Sequence, residues 1–182
     1  MRIRSPSITV GLALSRLGAI PLGIPLTLIG DTLANDIVDA IAYGWDSTST
    51  TKGAGGKLLV DQVSVAVDVK LAAPALMVVM NRAKWDALPA DLKAIIDKHT
   101  PALSVGAATV REQAEVVAKK KVQADPRITA INFSEEQRDE LKRVITPAID
   151  EWKAGMAKLG IDGARLYARA RELVQQYKVA AK

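Results

Sequence analysis

Apolar positions fall in short blocks along the first half of the chain and at helical spacing along much of the second. Arg2-Ile3-Arg4 is followed by Ser5-Pro6-Ser7 and a long apolar block from Ile8. Ser7 is a good helix N-cap, so the pattern predicts a strand over 2–4, a helix over 7–17 and a strand over 20–24. A second helical stretch is expected over 27–36. A short buried strand over 38–43 then leads into Gly44-Trp45-Asp46. Residues 47–56 are rich in Ser, Thr and Gly and read as a loop or frayed helix, with 58–62 as a helix end. Two β-branched apolar blocks, 63–67 and 71–80, read as strands, the second as a buried one.

Met80-Asn81 closes that block, a turn carries Trp85, and Leu88-Pro89-Ala90-Asp91 opens a helix. Pro89 takes a first-turn position that tolerates its missing N–H. Thr100-Pro101 predicts a break or kink, with the helix resuming over 102–124. Asp125-Pro126 ends it, and 128–131 reads as a short strand. Ser134-Glu135-Glu136-Gln137 is a capping box. Behind it, Leu141, Val144, Ile145, Ala148, Ile149, Trp152, Met156 and Leu159 follow at steps of three and four, one apolar helix face. Pro147 should kink that helix, Gly160 should end it, and Asp162 should cap a last helix to about residue 178. Strands alternating with helices give an α/β chain, helix-rich after residue 89. No internal repeat is present.

Composition narrows the class. The 182 residues are 49% hydrophobic, enough for a core. With three Trp, three Tyr and Phe133, that core is mostly Ala, Val, Leu and Ile. Cysteine is absent, so there is neither a disulfide framework nor a thiolate metal site. The net charge of +5 lies wholly in the second half, densest at Lys119-Lys120-Lys121. No aromatic residues interleave with those lysines, which favours a solvated helix face over a nucleic-acid surface. Residues 8–30 are almost uncharged and invite a membrane reading. Arg16 in mid-run, Pro21, Pro25, Gly18 and Gly23 argue against a spanning helix.

Catalytic chemistry finds little support. The single histidine, His99, excludes a His/Cys zinc site, and it reads as a residue near a helix end, facing the dipole. Gly53-Ala54-Gly55-Gly56-Lys57 lacks phosphate-loop spacing and reads as a flexible loop. No two carboxylates are placed as a pair across a cleft. Two residues stand out for binding. Arg4 ends a short strand just before a helix N-terminus, where a planar guanidinium fork and main-chain N–H groups suit an anion. Trp45 follows a predicted strand, a position that often lines the ligand crevice of an α/β sheet. Against these stand an ordinary terminal arginine in solvent and a tryptophan plugging the core edge.

Six segments, in order, resemble the second half of TRAP transporter solute-binding proteins, the dicarboxylate-binding type. They are Arg2-Ile3-Arg4-Ser5-Pro6-Ser7, Leu17-Gly18-Ala19-Ile20-Pro21-Leu22, the stretch from Leu33 to Ala40, Trp45-Asp46-Ser47, the stretch from Met80 to Lys93, and the stretch from Val144 to Trp152. The resemblance covers nearly the whole chain. It implies a periplasmic-binding-protein-like fold of type II character, with long helices crossing between lobes that close on ligand. An α/β lobe portion over 1–88 would carry the ligand arginine, and a mainly helical portion over 89–182 would pack across the lobes.

By the same resemblance, Arg4 would bind a ligand carboxylate, Trp45 would pack on its apolar part, Ser47 would add a polar contact and Pro74 would line the pocket. The implied partners are a small organic acid and membrane permease subunits, with no nucleic acid, metal, cofactor or enzymatic activity. Localisation would be periplasmic, or cytoplasmic if Met1 is the true start. Two positions depart from the family pattern: Asn35-Asp36 replaces a helix-ending glycine, and Ala40 replaces a glycine after Asp39. The missing first half would leave apolar faces exposed and invite self-association. The rival reading is a small helical interaction protein whose basic surface meets polyanions or a membrane surface.

Overall fold

The computed structural model describes residues 1–71 and 76–180. The chain forms two compact units, Met1–Ala42 with Phe133–Lys182, and Tyr43–Asn132.

In the first unit, β1 (Arg2–Arg4) is the middle strand of a parallel three-stranded sheet, between β2 (Ile20–Leu22) and β3 (Ala40–Ile41). The register places Arg4 opposite Leu22 on one side and Ile41 on the other. Parallel neighbours need a crossover, and α1 (Ile8–Arg16) supplies it between β1 and β2. Ser7 caps α1 as its sequence predicts, its hydroxyl accepting the Val10 N–H. A 3-10 turn at Leu26–Leu28 runs into α2 (Ile29–Ala34). The C-terminal helices of this unit are α6 (Glu135–Ile145), α7 (Pro147–Lys158) and α8 (Gly163–Ala180), with α1 packed on α6 and α7. Ile3, Val10, Ala13, Leu14, Ile29, Val38 and Ala148 form the buried apolar set. Arg16, the charge that spoke against a membrane segment, pairs with Glu151 of α7. No helix among the described residues is long and apolar enough to cross a membrane.

The second unit holds α3 (Trp45–Thr50), two 3-10 turns, β4 (Val65–Asp68), α4 (Arg82–Asp86), α5 (Ala90–Gln123) and β5 (Thr129–Asn132). β4 and β5 form a parallel pair, and Leu59, Ala118, Val122 and Ile128 are buried. Asp68, 5% exposed, receives Lys119 Nζ at 2.6 Å. The foremost lysine of the basic run is therefore an internal tie between β4 and α5.

Several expectations are corrected. Residues 76–80 form no strand, and Leu76 to Met80 are exposed, Val78 fully so. A β-branched run makes a buried strand only where a neighbour completes its ladder, and β4 pairs with β5 instead. Residues 72–75 lie outside the described residues. Pro101 does not break α5, which runs 34 residues from Ala90 to Gln123. Proline deprives a helix of one hydrogen bond, and the neighbouring turns here stay joined, with the Thr100 and Ser104 hydroxyls donating to Ile96 and Thr100 carbonyls. His99 accordingly lies within a continuous helix, exposed, rather than at a helix end. Pro147 acts more strongly than a kink: it starts α7 after a junction at Thr146. The positive-φ residue after α2 is Asp36, at 53°, while Asn35 has φ −104° and Ala40 lies in β3. Strain at Ala40 therefore does not arise. Trp45 is not at a strand end but opens α3, and 47–50 take the helical one of the two alternatives expected for 47–56.

Candidate functional site

In the first unit, an open hollow of about 580 Å³ is bounded by Arg4, Ser5, Ser7, Gly11, Pro21, Gly23, Ile24 and Pro25, among others. Its walls are the C-terminal ends of β1 and β2 and the first turns of α1. Arg4 is 6% exposed. Its Nε donates to the Ile24 carbonyl at 3.1 Å and Nη1 to the Ala42 carbonyl at 3.4 Å. Carbonyls that follow both neighbouring strands thus fix the plane of the guanidinium. A fork held in this way loses little side-chain freedom when an anion docks. Ser5 is buried, its N–H bonded to the Leu22 carbonyl at 2.8 Å and its hydroxyl donating to the Ser7 carbonyl at 2.7 Å. The loop that delivers the chain to α1 is therefore pinned beside Arg4. The local partial positive charge of a helix N-terminus adds to that of the guanidinium.

Beside this hollow, Arg2 secures the strand that carries Arg4. The Arg2 Nη2 and main-chain N–H donate to the two Asp39 carboxylate oxygens at 2.5 and 2.6 Å. The Asp39 carboxyl is held down at about 2, through the side-chain and main-chain hydrogen bonds from Arg2.

In the second unit, Trp45 is half-buried at the start of α3. Its N–H donates to Glu115 Oε2 at 2.8 Å, and the Asp46 N–H reaches the same oxygen at 3.3 Å. Arg111, one turn before Glu115 on α5, stands 3.4 Å from Asp46 Oδ1 and 3.7 Å from Glu115 Oε1. Ser47 donates both its N–H, at 2.5 Å, and its hydroxyl, at 2.9 Å, to Asp46 Oδ1. Burial, then the Asp46 carboxyl, pushes the Glu115 carboxyl above the ordinary glutamate range. Burial also pushes Asp46 upward, but hydrogen bonds from Glu115 and Ser47 outweigh it and hold Asp46 below its usual range. Nearby, the Ser49 hydroxyl and the Gln62 side-chain amide are buried without a hydrogen-bond partner among the described residues.

The sequence-derived residues are thus distributed. Arg4 lies in the hollow of the first unit, and Trp45 and Ser47 lie on α3 of the second. Pro74 falls outside the described residues. Glu115 and Arg111 were missed. Their i, i+4 spacing looks like an ordinary surface pair on a helix, and nothing in the primary pattern joins them to Trp45, 70 positions away. Among the described residues no cluster of His, Cys, Asp or Glu is arranged to hold a metal ion.

Residues 1–155 match the family model described as bacterial extracellular solute-binding protein, family 7. The chain belongs to this family. It is a family of transport solute-binding proteins and not a class of enzymes. No curated protein matches the chain. Among solved structures, one similar protein is a TRAP solute-binding protein from Rhodoferax ferrireducens T118 in complex with copurified benzoate. It is 26% identical, with a TM-score of 0.82 over 100% of this chain and 56% of its own. A marine-metagenome TRAP solute-binding protein specific for aromatic acid ligands, in complex with metahydroxyphenylacetate, is 24% identical. Its TM-score is 0.79 over 97% of this chain and 55% of its own. A periplasmic TRAP protein from Shewanella oneidensis with bound succinate is 18% identical. Its TM-score is 0.75 over 90% of this chain and 52% of its own. The family chain described here therefore spans little more than half the length of these structures. Their shared fold bears out the periplasmic-binding-protein-like, helix-rich α/β class expected from the sequence.

Proposed function

We propose that this chain is the solute-binding component of a TRAP-type transporter for an organic acid, working outside the cytoplasmic membrane and delivering its ligand to a permease. The observation that carries this reading is Arg4: a buried guanidinium at a strand end, braced by two main-chain carbonyls, in a hollow beside the first turn of α1. We assign to Arg4 the ligand carboxylate, which it takes through charge-assisted hydrogen bonds. Trp45 is assigned to the apolar body of the ligand, Ser47 to a polar contact and Pro74 to the pocket wall. The family membership supports the transport role, and the benzoate found with the Rhodoferax protein supports a carboxylate on an apolar ring as the ligand class. The chain spans about half of that protein's length. Self-association through the exposed apolar run at 76–80 belongs to the same reading.

The test is thermal unfolding of the chain with benzoate and a panel of aliphatic and aromatic acids. A specific ligand at a hundred times its Kd stabilises by about 2.7 kcal/mol. The expected outcome is a raised Tm with one class of acid, abolished in Arg4→Ala and largely lost in Arg4→Lys, since an ammonium cannot span both carbonyls and a bidentate anion. A Tm that no acid moves, in a chain that unfolds cooperatively, would refute the assignment.

A further inference from the structure

In the second unit a carboxyl group on the long helix holds the turn that presents Trp45. Glu115 Oε2 accepts the N–H groups of Trp45 at 2.8 Å and Asp46 at 3.3 Å, the first two residues of α3. These N–H groups have no partner within their own helix, and α3 is only six residues long with no side-chain cap of its own. Glu115, from 70 positions away, does what a local capping side chain does elsewhere. Arg111 stands over both carboxyls of the cluster and orients them.

Gly44, just before Trp45, is an independent mark of the same device. Its backbone, at φ −75° and ψ 155°, is one any residue adopts, so conformational freedom does not call for glycine here. Space does: a Cβ built on Gly44 would lie 2.5 Å from Glu115 Oε1 and 3.0 Å from Asp46 Oδ1. The carboxyl group occupies the room a side chain would take. Glu115 is a flexible side chain and can swing away, but in swinging away it releases the Trp45 N–H.

We infer that Glu115 is a positioning residue for Trp45, its Oε2 anchoring the first turn of α3 and thereby setting the indole used for the apolar part of the ligand. The inference rests on the assignment of Trp45 to the ligand made above. It is a claim about hydrogen-bond acceptance rather than charge: the Glu115 carboxyl is pushed upward by burial and by Asp46, and a neutral carboxyl keeps an oxygen that accepts both N–H groups. Glu115→Gln retains that acceptor and Glu115→Ala does not.

The experiment uses the full chain in a Trp85→Phe, Trp152→Phe background, where Trp45 is the one tryptophan left to be selectively excited. Two quantities are read: Trp45 emission without ligand, and benzoate affinity by calorimetry. In Glu115→Ala the emission shifts and benzoate binding weakens by about tenfold, the loss expected for hydrogen bonds to an anchoring group, whereas Glu115→Gln keeps both. Gly44→Ala repeats the effect of Glu115→Ala, and adding it to Glu115→Ala changes neither quantity further, because the group it displaces is already gone. Emission and affinity that are unchanged in Glu115→Ala overturn the inference, as does full additivity of the Gly44 and Glu115 substitutions. Should the parent chain bind no acid, the functional reading fails and takes with it the role in ligand binding. The emission of the variants still decides separately whether Glu115 positions Trp45.

Discussion

Several charged side chains in this chain tie distant segments together, and their environments decide how much each is worth. Lys119 and Asp68 are the clearest pair, 2.6 Å apart, with Asp68 almost fully buried and Lys119 about one-third exposed. Removing the lysine takes a cationic partner from a carboxylate in the interior. Removing the carboxylate leaves an amine that reaches water. Lys119→Met should therefore cost about 2–3 kcal/mol and Asp68→Asn about 1 kcal/mol, an asymmetry that urea unfolding of the two variants would check. A second prediction concerns acid. Asp39, held by Arg2, and Asp125, held by Arg127, each titrate at about 2, below the free aspartate value near 3.9. A depressed folded-state pKa contributes stability that is complete above the unfolded value and is lost as pH falls through the folded one. Melting temperature should thus decline between about pH 4 and pH 2 through these two residues, and Asp39→Asn should flatten part of the decline. Arg4 was legible at this scale because a strand–Arg–Ser-Pro-Ser–helix order is a local pattern. Glu115 was not, because its partner lies on another element.

Elements followed local signals where those signals are self-contained. The capping box at Ser134 forms as its spacing requires: Ser134 Oγ accepts the Gln137 N–H at 3.2 Å, and Gln137 Oε1 accepts the Ser134 N–H at 2.9 Å. Ser134→Ala should cost about 1 kcal/mol, seen as an earlier denaturation midpoint at unchanged slope. The Asp162 cap of α8, through the Arg165 N–H at 2.9 Å, was equally readable, as was the end of α7 at Gly160, which has φ +72°. Prolines were less transparent. Pro147 and Pro101 look alike in sequence, yet one opens a helix and the other lies inside one. A proline in a helix is decided by whether the flanking turns gain enough elsewhere to tolerate a lost bond. Pro101 is exposed and contributes little packing, so Pro101→Ala should raise stability by about 1–3 kcal/mol and increase the far-ultraviolet helical signal. The opposite sign would mean that the proline is required by its surroundings.

At the scale of the whole molecule, the two units are each built from separate kinds of chain. The first joins both ends of the sequence, and the second is the continuous stretch between them. Apolar surface remains uncovered along 76–80 and at Ile95, Leu103, Val110 and Val117 of α5. Exposed surface of this kind drives association, so sedimentation velocity should reveal concentration-dependent assembly, diminished by Val78→Asp. The sequence by itself determined the α/β class, the family, the place of most elements and the basic residue at the end of β1. These follow from caps, glycines, apolar spacing and motif order, each confined to a few adjacent residues. Tertiary structure alone decided that residues 76–80 form no buried strand, that Lys119 is an internal ion-pair partner, that Trp45 begins a helix, and that Glu115 holds it there. Each of these depends on which atoms meet across dozens of positions. Burial, ladder pairing and hydrogen-bond partners belong to pairs of segments, and no single segment carries them.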